Sequence, residues 1–354
     1  MEKRTKNKNT LRVGNLLIIY TAIVIVMVVM GFTFPYINQD CSSGISVENV
    51  NSIVVDNENN KWFSTDVGIV SFDGENWKLH DGNDNIPNQN LKGITSVVTP
   101  EGTELWIASS GGITVARLPI DDKTEAITYD LENENILSKE VMSVTAGKDS
   151  ILWIATDKGV LAVSSDKWLT PDYEMHYPAM LFSMFPITSM ATNLTGDSLY
   201  VGTAGSGVAR VYRDDLDGIS GASVIAQWGP IAIPSDYVHS VFIAPDGARW
   251  FGTEEGVARH SGHDPLDMWN VYTTDEGLVD NFVQAISDDK TGNIWCGTQA
   301  GISVFNGSSW VSYTTDNGLA SNNILSLATD HDGVVWIGTD SGISSYENEK
   351  FTNY

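Results

Sequence analysis

Apolar residues along this chain come in short alternating runs separated by Gly, Asp and Asn, the period of half-buried strands joined by tight turns. The unit Ile324–Tyr346 shows the plan. An apolar run ends in Asp330, a turn carries Gly333, and then come Trp336-Ile337-Gly338-Thr339 and a strand led by Gly342. The Trp step recurs as Trp295-Cys296-Gly297-Thr298 and Trp250-Phe251-Gly252-Thr253. Looser copies are Tyr200-Val201-Gly202-Thr203, Trp153-Ile154-Ala155-Thr156, Trp106-Ile107-Ala108-Ser109 and Trp62-Phe63-Ser64-Thr65. Trp62 and Trp336 lie 274 residues apart, so the six intervals average about 46 residues, a blade-sized period.

Each unit reads as four strands. The first follows Ile/Val-x-Ser-Ile/Val over 50–54, 94–98, 141–144, 187–191, 238–242, 283–287 and 324–328. Its third position, a small residue suited to a crowded site, is Ser52, Ser96, Ser143, Ser189, Ser240, Ala285 or Ser326. The second strand carries the Trp, and the third starts at Gly68, Gly112, Gly159, Gly207, Gly256, Gly301 or Gly342. The fourth is clearest at 77–79, 269–272, 310–313 and 351–354. In blade four Tyr200 replaces Trp, the glycine turn is longer, and 214–222 reads as an acidic, Gly-rich insertion. One such sheet cannot cover its own apolar faces. Seven predict an all-β, seven-bladed β-propeller of four-stranded antiparallel blades, with each Trp between neighbours. Residues 50–354 give every blade its own strands, so blades one and seven are expected to meet mainly through side chains.

Ahead of the repeats, residues 1–15 are basic and polar, and Leu16–Phe34 runs 19 residues without a charge. That length reads as a transmembrane helix, with the basic flank in the cytoplasm. A cleavage site at Val29-Met30-Gly31 would instead release a secreted protein, and Cys41 marks a lipidated alternative. All three readings place the repeats outside the cytoplasm. Residues 35–45 form a tether, and 46–354 the propeller.

Composition sharpens this picture. The formal charge is −25, and without the basic tail the rest carries −29. Such a body repels phosphate backbones, so no nucleic-acid partner is expected. Cys296 stands where other copies have Ile or Phe and reads as a small buried hydrophobe. The histidine cluster His260-Ser261-Gly262-His263-Asp264 falls in a connection between third and fourth strands, on the face away from the expected mouth, and is a weak metal signal. Turns such as Pro245-Asp246-Gly247 and Asp330–Gly333 fit hairpin chemistry better than a calcium loop. No nucleophile elbow, phosphate loop or paired-carboxylate signature stands out, so no catalytic residue, metal or cofactor is assigned.

The pattern Gly-Leu-x-x-Asn-x-Ile-x-Ser-Leu-x-x-Asp-x-x-Gly-x-x-Trp-Ile-Gly-Thr-x-x-Gly-Ile, matched almost throughout by Gly318–Ile343 and closely by Gly277–Ile302, resembles the two-component regulator propeller repeat. The resemblance extends more loosely over about 45–354. It implies an extracytoplasmic sensor propeller of the kind found in hybrid histidine kinases that detect carbohydrates. Those carry a β-sandwich, a membrane span and kinase domains after the propeller, whereas this sequence has its apolar segment first and no kinase, so output would pass through a partner protein of the membrane or envelope. A weaker resemblance is to streptogramin lyase propellers, whose repeats tend to read Trp-Phe-Thr-Glu; no catalytic residue is carried across.

A ligand would sit where the lead-in to strand one and the turn between strands two and three emerge together, around the axial mouth. Lead-in residues in register with Asn323 are read as Asn49, Gly93, Glu140, Pro186, Tyr237 and Phe282, with Asn322 beside Asn323. The second loop set offers Asp66, Asp157, Glu254 and Asp340. Aromatic faces with Asn and Glu suit a carbohydrate or peptide. The function expected is ligand or partner binding in sensing, the alternatives being an extracellular lyase or hydrolase at the mouth and a structural scaffold of the envelope.

Overall fold

The computed structural model describes residues 46–80, 86–87, 90–121, 124–130, 138–147, 151–164, 167–169, 185–196, 198–214, 218–226, 233–262 and 269–354. The chain divides into Met1–Asp40 and Cys41–Tyr354, and the fold that follows belongs to the second unit. Leu16–Phe34 and Cys41 lie outside the described residues; among those described, no helix is long and apolar enough to cross a membrane.

Seven four-stranded sheets follow one another, each an antiparallel meander whose spatial order is its sequence order. Blade one runs from Ser52 to His80, blade two from Leu91 to Tyr129, and blade three from Val141 to Leu169. Blades four to seven span Ile187–Ala226, Val238–Tyr272, Val283–Tyr313 and Ile324–Asn353. The first strands neighbour one another in cyclic order, and that of blade seven (Ile324–Thr329) meets that of blade one (Ser52–Val55). The ring is closed.

The core is seven clusters, each shared by two consecutive blades. Trp336 of blade seven packs with Val50, Phe63 and Val70 of blade one, Trp295 with Val335 and Ile337, and Trp250 with Ile294, Cys296 and Phe305. Trp62, Trp106, Trp153 and Tyr200 do the same at the remaining seams. The alternation of a strand explains this. Trp faces the next blade, and the residue after it (Phe63, Phe251, Cys296 or Ile337) faces the one before. Cys296 is fully buried, and that burial drives its thiol far above the ordinary range, so it behaves as a hydrophobe.

The Gly and Thr after the Trp now have causes. A Cβ on Gly338 would come within 2.7 Å of the Val50 carbonyl oxygen of blade one, and one on Gly252 within 2.8 Å of that of Val283. Neighbouring first strands therefore ride against these glycines. Gly338→Val should overpack the blade seven–one seam and lower stability by about 1–3 kcal/mol in urea unfolding, whereas an unchanged midpoint would contradict the close approach. The following Thr or Ser closes the next turn. In all seven blades its hydroxyl donates to the carbonyl three or four residues on, that of Gly68, Gly112, Gly159, Gly207, Gly256, Gly301 or Gly342. It also accepts a turn N–H in each.

Aspartates organise the turns after the first strands. Asp56, Asp289 and Asp330 each accept backbone N–H bonds from the turn and the indole N–H of the Trp six residues on, at 2.9, 3.1 and 3.0 Å. Burial pulls the carboxyls of Asp289 and Asp330 upward, but these donors, with Lys61 at Asp330, outweigh it and hold both below the ordinary value. A depressed folded pKa contributes stability above the unfolded value, about 3.9, that is lost as pH falls through the folded one. Melting temperature should therefore hold from neutrality to about pH 5 and fall steeply below about pH 4; a melting curve flat to pH 3 would contradict this.

Ring closure uses more than side chains. Val50 N–H donates to the Thr339 carbonyl at 3.0 Å and Asn49 N–H to that of Asp340 at 3.3 Å. Lys61 reaches Asp330 at 3.0 Å, both almost fully buried, and Asn59 bonds Asp332 and the His331 N–H. Other expectations change too. The first strand of blade two is Leu91–Thr99, not 94–98: Leu91 pairs with Ser109 and Gly93 with Ala108, so Gly93 holds the small position and Ser96 lies further along. The extended partner Gly102–Ser109 draws the longer register. The 214–222 insertion is largely hairpin, since Gly218–Ala226 is the fourth strand of blade four. His260 lies in the third strand of blade five, buried beneath Trp269 and bonded by Arg249. His263 and Asp264 lie outside the described residues, and among those described no metal-ligand cluster occurs.

Candidate ligand site at the axial mouth

A shared backbone bond brings the two expected loop sets together. The residue after the Thr donates its N–H to the lead-in carbonyl in Asp157–Glu140 at 3.2 Å, Ala204–Pro186 at 2.9 Å, Glu254–Tyr237 at 3.3 Å and Asp340–Asn323 at 3.3 Å. In blade one the same bond runs from Asp66 to Glu48. Glu48, not Asn49, is thus the lead-in residue there. Asn49 is an extra residue in the left-handed region, φ 48°, turned to blade seven.

Six first strands carry a bulge two residues after the lead-in, leaving Lys92, Met142, Thr188, His239, Gln284 and Leu325 without a partner in the register. Several reach the next blade's lead-in. Lys92 Nζ meets Glu140 Oε2 at 3.0 Å and Met142 Sδ at 3.3 Å, and Gln284 Nε2 meets Asn323 Oδ1 at 2.9 Å and the Ile324 carbonyl at 3.0 Å. Thr188 Oγ1 donates to the Val238 carbonyl. The His239 ring stacks on Phe282 with centroids 4.6 Å apart. In the sequence this position is signalled by a longer polar or bulky residue directly before the small one.

Most expected site residues are engaged by neighbours. Glu140 is held below its ordinary range by the Lys92 hydrogen bond. Burial raises the Asp340 carboxyl, but bonds from Ser321, Asn323 and Ser341 hold it low. Asn323 Nδ2 donates to Asp340 Oδ2 at 3.2 Å, Asp66 Oδ1 accepts from Glu48 N–H, and Asp157 lies 3.5 Å from Lys158. Asn322 turns to the preceding loop, accepting the Thr315 N–H at 2.7 Å.

Blades four to six differ. Tyr237 is 49% exposed. Gly205, at φ 116°, lies between Phe185 and Tyr237, where a Cβ would stand 3.3 Å from one ring and 3.6 Å from the other. The lengthened turn of blade four is fixed against blade five, with Gly205 and Gly207 N–H groups on the Asp236 carbonyl. Beyond Tyr237 come Glu254, 3.4 Å from His239 Nε2, and the His239–Phe282 stack. Aromatic rings, a carboxylate and an imidazole thus gather on one sector.

The two-component regulator propeller family model matches residues 277–300 and 318–341. Among solved structures, the chain is similar to the extracellular domain assigned to the hybrid two-component system BT3049 of B. thetaiotaomicron, with TM-score 0.68 and 22% identity over 88% of this chain. The chain spans only 40% of that domain. It is similar to streptogramin B lyase at TM-score 0.63 and 14% identity, over 88% of this chain and 95% of the lyase. It is also similar to PorZ, a surface component of the type-IX secretion system of Porphyromonas gingivalis, at TM-score 0.66 and 16% identity, over 89% of this chain and 48% of PorZ. No curated protein matches the sequence significantly. At these identities the structural likenesses establish the fold. The two matched segments hold the lead-ins and first two strands of blades six and seven, and the other five blades repeat the same four-stranded unit.

Proposed function

We propose that this propeller is an extracytoplasmic sensor module, tethered through Leu16–Phe34, that binds a carbohydrate or peptide at its axial mouth and signals through a partner protein. The carrying observation is the half-exposed Tyr237 ring, flanked by Gly205 and Phe185 on a rim whose other candidate side chains are mostly engaged by neighbours. An apolar ring face with a carboxylate and an imidazole nearby suits a sugar ring or an extended peptide. The similarity to the BT3049 extracellular domain supports the sensing role. A lyase reading has the His239–Glu254 pair in its favour, but no nucleophile stands beside that pair among its described contacts.

A thermal-shift screen with glycans and peptides tests the proposal, since a ligand at 100 times its dissociation constant stabilises by about 2.7 kcal/mol. Tyr237→Ala should weaken a hit by about fivefold to thirtyfold while leaving the unliganded melting temperature within a degree or two. A hit indifferent to Tyr237, or no hit at all, would remove the mouth sector from the function.

A further inference from the structure

The opposite ends of the blades carry a second feature. The turns joining first and second strands open there, and two seams have a cleft beside the seam Trp. Between blades five and six that cleft measures about 290 Å³, and Arg259 lies in it. Its Cζ stands 5.8 Å from the centroid of the Trp250 ring, and its Nη2 is 3.3 Å from Asp246 Oδ2. The Trp250 ring also stacks on Tyr272 at 6.0 Å.

Blade one repeats this framework with one part missing. Its turn is the same: Asn59 N–H bonds the Asp56 carbonyl as Gly247 bonds Ala244, and Asp56 N–H bonds Asn60 as Ala244 bonds Ala248. Glu58 therefore holds the Asp246 place, four residues before the Trp. Ser71 pairs with Trp62 as Arg259 pairs with Trp250, and His80 covers Trp62 at 5.3 Å as Tyr272 covers Trp250. With Ser in place of Arg, the cleft between blades one and two opens to about 480 Å³, lined by Glu58, Trp62, Ser71, Asp73, Lys78 and Pro119 among others. Lys78 Nζ is turned to the Ile120 carbonyl at 2.8 Å. Asp73 is held below its ordinary range by the backbone N–H groups of Asn76 and Glu75 and stays a carboxylate.

We infer that the cleft between blades one and two binds the guanidinium or ammonium group of a small organic cation, seated over Trp62 and paired with Glu58 as Arg259 is with Trp250 and Asp246. The volume lies within the range of small-molecule sites. A cation over an indole face beside a carboxylate gains from both the ring quadrupole and the ion pair. The site is independent of the axial mouth.

Isothermal titration of the full chain with agmatine tests the inference, with neutral butylurea as the uncharged comparison. Agmatine should bind saturably and butylurea should not. Glu58→Gln should weaken agmatine by at least about tenfold. Ser71→Arg, which installs the blade five arrangement in blade one, should abolish binding. Absence of saturable agmatine binding, equal binding of butylurea, or undiminished affinity in Glu58→Gln would overturn it. Should Ser71→Arg fail to fold, the exposed Glu58→Gln and the butylurea comparison decide alone.

Discussion

Asp330→Ala is expected to destabilise the propeller by about 3–5 kcal/mol, read as a lower urea midpoint at unchanged slope. The residue serves three functions at one seam. Its carboxylate takes the Asp332 and Val334 N–H groups that shape the turn. It accepts the Trp336 indole N–H at 3.0 Å. It also pairs with Lys61 of blade one, whose side chain is 6% exposed against 1% for Asp330. Removing the carboxylate leaves a buried ammonium beside the Trp336 ring with no counter-charge, and that is the expensive part. Lys61→Met removes the cation instead and leaves Asp330 its turn and indole donors, so its effect should be much smaller. The other blades have aliphatic residues or Arg at the Lys61 position, namely Leu105, Leu152, Leu199, Arg249, Ile294 and Val335. An Asp330→Ala protein within about 1 kcal/mol of the parent would mean that the seam closes without the pair.

Trp295→Ala should cost a similar amount, about 3–5 kcal/mol. The indole is 2% exposed and sits between blades six and seven. It stacks with Tyr313 at 6.0 Å and meets Tyr346 at 4.9 Å. Its N–H donates to Asp289 at 3.1 Å. Truncation opens a void that the two sheets cannot collapse, because Ile324 of blade seven already rides against Gly297 of blade six. Trp295→Phe keeps much of the apolar area and loses the Asp289 bond, so it should fall between the two. Val311, an exposed residue of the outermost strand in the same blade, should tolerate Ala with little change. Equal midpoints for Trp295→Ala and the parent would be incompatible with the seam as built.

How much of this was readable beforehand depended on whether a position repeats. The large aromatic of strand two, the small residue of strand one and the Gly leading strand three recur in the same order in every unit, and that repetition makes them legible. Register slips came where a sequence offered two equivalent frames. In Leu91–Thr99 both Leu91-x-Gly93 and Ile94-x-Ser96 satisfy the same rule, and only the length of the partner strand decides between them. The lead-in of blade one slipped by one residue because Asn49 takes a left-handed conformation that no run of apolar residues signals. The candidate site was legible as a ring of positions, but not as a sector. The gathering of Phe185, Tyr237, His239 and Phe282 comes from different blades, and no local spacing carries it.

The Lys61–Asp330 latch and the Val50–Thr339 bond have a bearing on synthesis. Each sheet is complete in itself, so the first to emerge can assemble while the rest of the polypeptide is still being made. Its rear surface, with Phe63 and Val70, has no cover until Trp336 and Ile343 arrive. For most of translation the nascent protein therefore presents an uncapped greasy flank at its leading end and another at its growing end. The two are mutually complementary, and the final sheet extinguishes both at once.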